Sequence, residues 1–478
     1  MKNYTNREKL NAFQKRYDPI TTAYRDLTLT EKTLQKWKEE QLKIVIAHVK
    51  ENSPFYRDHL RDIEPSKLTL DILHKLPFTT KNHLREQMQQ ILSGSLNDGL
   101  YYYETTGTTG VATPCPRDQK ESYASNLQLQ YAYEDILKEI FPTDHKPILG
   151  ILGPTEIHSF SDTLASIALN IGICHAKIWP GSPVIGFDKC LSLIRDLKVE
   201  IIATSPGQVM TLAKEAMKRG LDPKKDFHVK VFMLSGELCT PELAENLENL
   251  WNAKIYNSLY GSQEAFVIAS STPSGLLRPH LPNYIFELVE PNTDKYLGET
   301  GEGELVVTCL VDGLKPLIRY RTGDIVSIKS VANKPFFEKY TIDVVGRVSD
   351  FIELNGKHFN AAQIESSLIK SIRGCLGYQI LLTRSNNNKD SIVAKLEIPN
   401  LSPQERQLLI IKKTKNILEC LGCQSTVMIV EDLSDHVNLG GWIKWKAARL
   451  VDTRQINGNL EPEVELSTGQ LMERLNSL

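Results

Sequence analysis

The sequence predicts an α/β protein. Its large N-terminal part is expected to hold doubly wound, mostly parallel sheets plus a β-rich subdomain, with a small α+β domain after it. Three observations predict this. Between residues 148 and 256, short apolar runs alternate with segments of helical period, the mark of βα units on a parallel sheet. From 284 to 309 apolar and polar residues alternate around a turn-rich Pro291-Asn292-Thr293-Asp294, as in antiparallel strands. Beyond 350, helical and strand patterns mix over a shorter stretch.

Taken in order, residues 32–50 place Leu34, Trp37, Leu42, Ile46 and Val49 on one helical face, and Asn52-Ser53-Pro54 ends that helix. Leu100 to Tyr103 is strand-like, and Gln119 to Ile140 reads as a long helix beginning near Asp118. Ile148 to Leu152 is a strand ending at Gly153-Pro154. Then come a helix over 191–197, a strand over 200–204, a helix over 208–219 closed by Gly220, and a strand over 230–234. A helix over 241–250 and a strand over 254–256 complete the alternation. In the last part, 361–370 is helical, 379–383 and 391–396 are strands around an Asn386-Asn387-Asn388 tip, and 403–418 is a helix.

The chain has 478 residues, enough for two to four domains. Lys+Arg number 56 and Asp+Glu 58, so no charge excess argues for nucleic acid or an anionic membrane surface. The polar start, Met1-Lys2-Asn3-Tyr4, has no signal-peptide core, and no apolar run reaches the length of a membrane span. A cytoplasmic protein is expected. Eight cysteines spread over this length are not a disulfide framework. Cys420-x-x-Cys423 has no second pair near it and reads as two small residues at a helix end broken by Gly422, ahead of a zinc or redox site.

The most informative stretch is Thr105-Thr106-Gly107-Thr108-Thr109-Gly110, between Tyr103 and Pro114. Glycines let a backbone turn tightly and aim its N–H groups inward, and threonine hydroxyls add uncharged donors. Such a loop can wrap polyphosphate oxygens; a polar turn between strand and helix is the simpler alternative. No Gly-Lys-Ser/Thr follows, so a Walker A site is unsupported. The stretch resembles the phosphate loop of adenylate-forming enzymes (acyl-CoA synthetases, luciferases, peptide-synthetase adenylation domains). Ala112 stands where that loop usually has proline, and Thr113 matches the phenylacetate–CoA ligase branch better than branches with lysine. The phrases Ser53-Pro54-Phe55-Tyr56-Arg57 and Leu76-Pro77-Phe78-Thr79-Thr80-Lys81 resemble the N-terminal region of that same branch.

Further matches follow in the family's order. Ser235-Gly236-Glu237 and Tyr260-Gly261-Ser262-Gln263-Glu264 resemble its adenine- and magnesium-binding motifs. The resemblance implies that Gly236 and Gly261 let a flat base approach the backbone, that Tyr260 stacks on adenine, and that Glu264 holds Mg2+ through a hard oxygen. Arg319-Tyr320-Arg321-Thr322-Gly323-Asp324 is nearly the full ribose-binding motif, with the Asp324 carboxylate accepting from the ribose hydroxyls. Val345 to Gly356 resembles the hinge motif. There Arg347 would reach ribose or phosphate, and the pivot would fall at Ser349-Asp350. The implied domains are 1–347, large, and 348–478, small and mobile. Lys444-Trp445-Lys446-Ala447-Ala448-Arg449 resembles the motif of the catalytic lysine. Register places that lysine at Lys446, with Lys444 as the alternative because Trp445 replaces the usual glycine. His158 and Phe160 lie just past a strand end, where ligands sit in doubly wound sheets, and are candidates to line an acyl pocket; a loop histidine in water is the alternative. Some relatives carry a zinc cluster near His280 and Cys309; two ligands do not make a closed site, so none is expected.

The resemblance implies activation of a small, aryl or similar carboxylic acid by ATP and Mg2+ through an acyl-adenylate. Transfer to coenzyme A or a phosphopantetheine arm follows, with Thr105, Thr106, Thr108 and Thr109 on the β- and γ-phosphates. Two alternatives are an adenylation enzyme serving a carrier protein or an amine, and a degenerate nucleotide-binding module. A homodimer is compatible with the family; nucleic acid and membrane partners are not expected.

Overall fold

The structure is a computed structural model of the chain, and it describes residues 6–105, 111–330, 340–385, 389–433 and 449–454. The helical start comprises α1 (Asn6–Arg25), α2 (Glu31–Asn52), α3 (Pro54–His59), α4 (Leu70–Leu73) and α5 (Lys81–Ile91). The expected 32–50 helix is α2. Thr30 caps it by accepting from Thr33 N–H at 3.2 Å. Ser53 ends α2 and caps α3, whose first residue is Pro54. Proline has no N–H to lose at that position and its φ already suits the helix. The α1 segment drew no sequence expectation; its Phe13, Tyr17 and Tyr24 are fully buried.

A hairpin follows, β1 (Tyr101–Glu104) with β2 (Pro114–Arg117). Next is α6 (Gln119–Ile140), begun as expected at Asp118. Asp118 accepts from Glu121 N–H at 2.8 Å while Glu121 accepts from Asp118 N–H at 2.9 Å, a reciprocal cap. Then come β3 (Leu149–Ile151), α7 (Ser159–Ile171), β4 (His175–Lys177), α8 (Gly186–Asp196), β5 (Ile201–Thr204), α9 (Pro206–Lys218), β6 (Val231–Leu234), α10 (Pro241–Trp251) and β7 (Lys254–Asn257). These five strands form one parallel sheet of order β4-β3-β5-β6-β7. Its central strands β3, β5 and β6 are buried at every residue, which is why they read as mainly apolar runs. The strand order reverses between β3 and β5, and there Thr204 donates to Leu152 O at 2.8 Å.

The β-rich part is antiparallel. Strands β8 (Leu259–Ser262), β9 (Phe266–Ser271) and β10 (Leu277–Pro279) make one sheet. Strands β11 (Tyr284–Val289), β12 (Tyr296–Gly298), β13 (Gly301–Cys309), β14 (Tyr320–Ser330) and β15 (Tyr340–Arg347) make another, ordered β12-β11-β13-β14-β15. The two strands expected over 284–309 are β11 and β13, with β12 added between them.

After a single 3-10 turn (Val348–Asp350) come β16 (Ile352–Leu354), β17 (Lys357–Phe359), α11 (Ala361–Ile369), β18 (Gly377–Arg384), β19 (Asp390–Glu397), α12 (Pro403–Leu421), β20 (Gln424–Val430) and β21 (Leu450–Asp452). Gly422 closes α12 at φ +66°, with Cys420 exposed and Cys423 buried.

The chain separates into two compact units. One runs to Ser205 and includes Lys225–Leu238 and Ala253–Asp350; the other comprises Pro206–Lys224, Cys239–Asn252 and the chain from Phe351. The units depart from the expected 1–347 and 348–478 at α9 and α10, which group with the C-terminal elements. Their polar contacts explain it. Asn246 on α10 donates to Cys375 O at 2.8 Å and accepts from Cys375 N–H at 2.9 Å. Lys214 on α9 pairs with Glu397 at 2.8 Å and Asp432 at 2.5 Å. Among the described residues no helix is long and apolar enough to cross a membrane.

Candidate adenylate-forming site

The site is built on β14, and the N-terminal phrases are its scaffold. Thr79 is fully buried and bonds the start of β14 through both backbone groups: its N–H donates to Arg319 O at 3.1 Å, and its carbonyl accepts from Arg321 N–H at 3.0 Å. Its hydroxyl donates to Ile318 O at 2.7 Å and meets the Tyr56 hydroxyl, which accepts from Ile318 N–H at 3.2 Å. The two arginines beside Tyr320 are structural. Arg319 is buried on Glu287 at 3.0 Å and stacks over Phe78, and Arg321 pairs with Glu304. A buried charge of this kind needs both its partner and its hydrogen bonds.

Beyond this anchor, β14 presents Asp324 opposite Arg347 on β15. One Asp324 oxygen accepts from the Tyr260 hydroxyl at 2.8 Å; the other faces Arg347 Nε at 3.5 Å. Burial pushes the Asp324 carboxyl up from its ordinary pKa, Arg347 and Tyr260 pull it back, and Glu264 adds to the rise. Burial, then the charge of Asp324, raise the Tyr260 phenol well above its usual value, so it stays a donor.

Tyr260 starts the turn from β8 into β9 that carries Glu264. Gly261 is obligatory here: a Cβ would lie 2.1 Å from the Phe266 carbonyl oxygen. Glu264 is 4 % exposed and pairs with Lys81 Nζ at 2.9 Å. Burial alone would raise its pKa, but the Lys81 ammonium reverses the sign and holds it below the ordinary value. Lys315 fixes the same turn by donating to Glu264 O at 2.6 Å. Arg117, at the end of β2, is buried between the rings of Phe266 and Tyr103, with Nη2 3.5 Å from Gln263 O. An ionised, hard-oxygen carboxylate is the donor that Mg2+ takes alongside substrate phosphates, so Glu264 fits that ion.

The other expected residues fall as follows. The Thr105 hydroxyl accepts from Thr113 N–H at 2.9 Å, and Thr105 N–H donates to Thr113 O at 3.0 Å, closing the neck of the threonine loop. Arg85 donates to the Thr113 hydroxyl at 3.2 Å. Thr106, Gly107, Thr108, Thr109 and Gly110 lie outside the described residues. Ser235, Gly236 and Glu237 follow β6 at the carboxyl edge of the parallel sheet; Ser235 N–H donates to Thr204 O at 3.0 Å and Gly236 has φ +87°. His158 caps α7, its Nδ1 accepting from Phe160 N–H at 3.2 Å. Phe160 is buried against Gly153. Asp350 ends the 3-10 turn at the unit boundary, and the side chain of Ser349 is outside the description. Lys444 and Lys446 also lie outside it; β21 starts four residues after Lys446, preceded by Arg449, which pairs with Glu365 at 3.3 Å. His280 Nε2 is 2.6 Å from the Ser270 hydroxyl, and the Cys309 thiol donates to Val311 O at 3.8 Å.

Residues 22–309 match the family described as AMP-binding enzyme. The chain belongs to this family. Its curated relatives include a phenylacetate-coenzyme A ligase of Pseudomonas putida, 25 % identical over 460 residues covering 91 % of this chain and 97 % of that protein. A phenylacetate-coenzyme A ligase of Thermus thermophilus is 26 % identical over 385 residues, 78 % of this chain and 83 % of that one. Among solved structures, a 2-hydroxyisobutyryl-CoA ligase in complex with 2-HIB-AMP superposes with a TM-score of 0.75 at 18 % identity over 92 % of both chains. At that identity the likeness carries the adenylate-forming fold.

Within this AMP-binding enzyme, sequence reasoning placed Asp324, Arg347, Tyr260 and Glu264, and the structure brings these four together. It missed Lys81, Thr79, Tyr56 and Arg117. Tyr56, Thr79 and Lys81 stand in the two N-terminal phrases that resemble the family branch, and a lysine following two threonines at the start of a helix is the signal that could have found Lys81.

Proposed function

We propose that this chain is an ATP-dependent acid–CoA ligase, similar to the phenylacetate–CoA ligases, acting on a small carboxylic acid. The observation that carries the proposal is the convergence of an ionised Glu264 beside Lys81 with the Asp324–Arg347–Tyr260 group on adjoining strands. Asp324, which has carboxylate oxygens to offer and a neighbouring cation, suits ribose hydroxyls. Glu264 would hold Mg2+, which supplies charge neutralisation on the phosphates.

The acid is already an anion, so no general base is needed. A carboxylate oxygen bonds the α-phosphorus of ATP, the bond from that phosphorus to the bridging oxygen breaks, and pyrophosphate leaves. A thiolate then bonds the acyl carbon, the carbon–oxygen bond to phosphate breaks, and AMP leaves. Two anions must meet in line, so positioning and fixed positive charge supply most of the catalysis. Lys446, with Lys444 as alternative, is proposed to bridge the carboxylate and the α-phosphate, and the turn ending at Asp350 to be the pivot between half-reactions. The threonine loop, its neck closed by Thr105 and Thr113, is proposed to cradle the β- and γ-phosphates. Ser235, Gly236, Glu237 and Gly261 are proposed to border the base, and His158 and Phe160 the acid.

The test is to incubate the protein with ATP, Mg2+, coenzyme A and phenylacetate or other small acids. Stoichiometric AMP and thioester are expected, with no AMP when the acid is omitted. ADP as product, or acid-independent turnover, would refute the reading. A carrier-bound pantetheine arm presents the same thiol, and its rate against free coenzyme A identifies the acceptor.

A further inference from the structure

Helix α12 shows solvent a stripe of apolar side chains. Leu408, Ile411 and Leu418 are each more than half exposed. Their spacing, with Lys415 between the last two, puts them along one face. A different face carries Lys413, Ile417 and Leu421 into the interior. Single exposed apolar residues are ordinary; an aligned stripe of them marks a surface that something covers. The charges around the stripe are mostly of one sign. Lys412 and Lys415 are exposed and Arg406 is partly buried, while acids stand only toward the helix ends, at Glu405 and Glu419. Lys415 reaches Glu419 at 3.7 Å in an exposed pair, a contact worth little.

The chain itself supplies a complement. Residues 455–478 lie outside the described residues, and they contain Leu460-Glu461-Pro462-Glu463-Val464-Glu465-Leu466, in which apolar residues and glutamates alternate and no cation occurs. Arg454, just before them, fixes where this segment sets out. Its guanidinium pairs with one Asp390 oxygen at 3.0 Å, and the other accepts from Asn355 N–H at 2.8 Å. The Asn355 amide donates to Cys423 Sγ at 3.3 Å, two residues past the end of α12. The described chain therefore ends near the C-terminal end of α12, the end that carries Leu418. From Leu418 back to Leu408 is roughly 15 Å of helix, and a seven-residue run, extended, spans roughly 20 Å. We propose that residues 460–466 lie along α12, their apolar side on Leu418, Ile411 and Leu408 and their glutamates toward Lys412 and Lys415. Docked there, the segment closes the stripe to other molecules.

The experiment is disulfide trapping in the full chain. The two exposed native cysteines are first replaced, Cys174→Ser and Cys420→Ser. Val464→Cys is then combined either with Ile411→Cys or with Leu169→Cys, an exposed control position on α7. Under mild oxidation the 411–464 pair is expected to close within one molecule at least about tenfold faster than the control pair, because docking raises the effective concentration of the two thiols. That rate should not depend on protein concentration. Lys412→Glu with Lys415→Glu should slow it severalfold, and adding Glu461→Lys with Glu463→Lys should restore it. The substituted helix positions are all exposed, so the fold is spared. Equal rates for the two pairs, or a rate indifferent to the lysine reversal, would overturn the proposal. So would closure between molecules instead of within one, which would assign the stripe to a second copy of the chain.

Discussion

Tyr260 donates a hydrogen bond to Asp324 at 2.8 Å, and so joins the turn that carries Glu264 to the strand that carries the carboxylate proposed to meet the ribose. Arg347 faces the other oxygen of Asp324. The phenol and the guanidinium both favour the ionised carboxyl against the rise imposed by burial. Tyr260→Phe should therefore leave a poorly satisfied acceptor, costing about 1–3 kcal/mol of stability or ATP affinity. It should also lift the Asp324 pKa further, moving the acid limb of ATP binding to higher pH. Calorimetric ATP affinity measured across pH 5 to 8, about a unit at a time, checks this; superimposable profiles would show that Tyr260 does not act through Asp324.

Lys81 makes Glu264 an anion. The folded Glu264 carboxyl lies below its ordinary pKa, so the pair contributes stability above that ordinary value and loses it as pH falls through the folded one. Lys81→Met removes the largest of the causes that oppose burial, leaving a backbone hydrogen bond and the weaker influence of Lys315. Glu264 should then protonate at higher pH, and the adenylation rate should fall at mildly acid pH. The loss should be smaller above pH 8. A loss independent of pH would mean that Lys81 acts by some other contact.

Asp118 behaves in the opposite sense. Burial, and then the neighbouring Glu121, push its carboxyl up to about 7. A raised folded pKa contributes stability that is complete below the ordinary carboxylate value and lost as pH rises through the folded one. Asp118→Asn keeps a good helix cap and removes the titration. At pH 8 the variant should be more stable than the parent by on the order of 1–2 kcal/mol, with the difference vanishing toward pH 4. Melting curves across that range provide the comparison.

Gly261→Ala should be poorly tolerated although its backbone angles are ordinary. The added methyl meets the Phe266 carbonyl oxygen at 2.1 Å, and main chain cannot swing aside as a flexible side chain can. A loss of about 1–3 kcal/mol is expected, with weaker ATP binding because Tyr260 and Glu264 flank the position. Denaturant unfolding and ATP titration of the same sample separate the two effects.

The α/β alternation was legible because parallel strands buried on both faces are dominated by apolar residues, as β3, β5 and β6 are, with Thr204 at the end of β5 the polar exception. Asp324 and Glu264 were legible because each sits in a run whose neighbours also match. The Lys81 partner of Glu264 and the Thr79 anchor of β14 were not. Lys81 is 183 positions from Glu264, and Thr79 is 239 from Ile318; no periodicity spans such distances. Nor did the spacing reveal that α9 and α10 group with the C-terminal elements, since that depends on Asn246 meeting Cys375. The α1 helix escaped notice because its buried Phe13, Tyr17 and Tyr24 are set among charged and polar residues, with Pro19 inside the run.

Acid-dependent exchange of labelled pyrophosphate into ATP is the most direct test, because it reads adenylate formation without any thiol acceptor. The account predicts exchange with at least one small carboxylic acid, abolished without Mg2+ and sharply reduced in Asp324→Ala. Lys446→Ala should cut it by about 10²–10³ with ATP affinity little changed, the scale of one preorganised electrostatic contact, and Lys444→Ala much less. A larger effect at Lys444 would move the catalytic role to that residue. ATP binding with no exchange for any aryl, amino or fatty acid tested would contradict the claim that this chain forms acyl-adenylates.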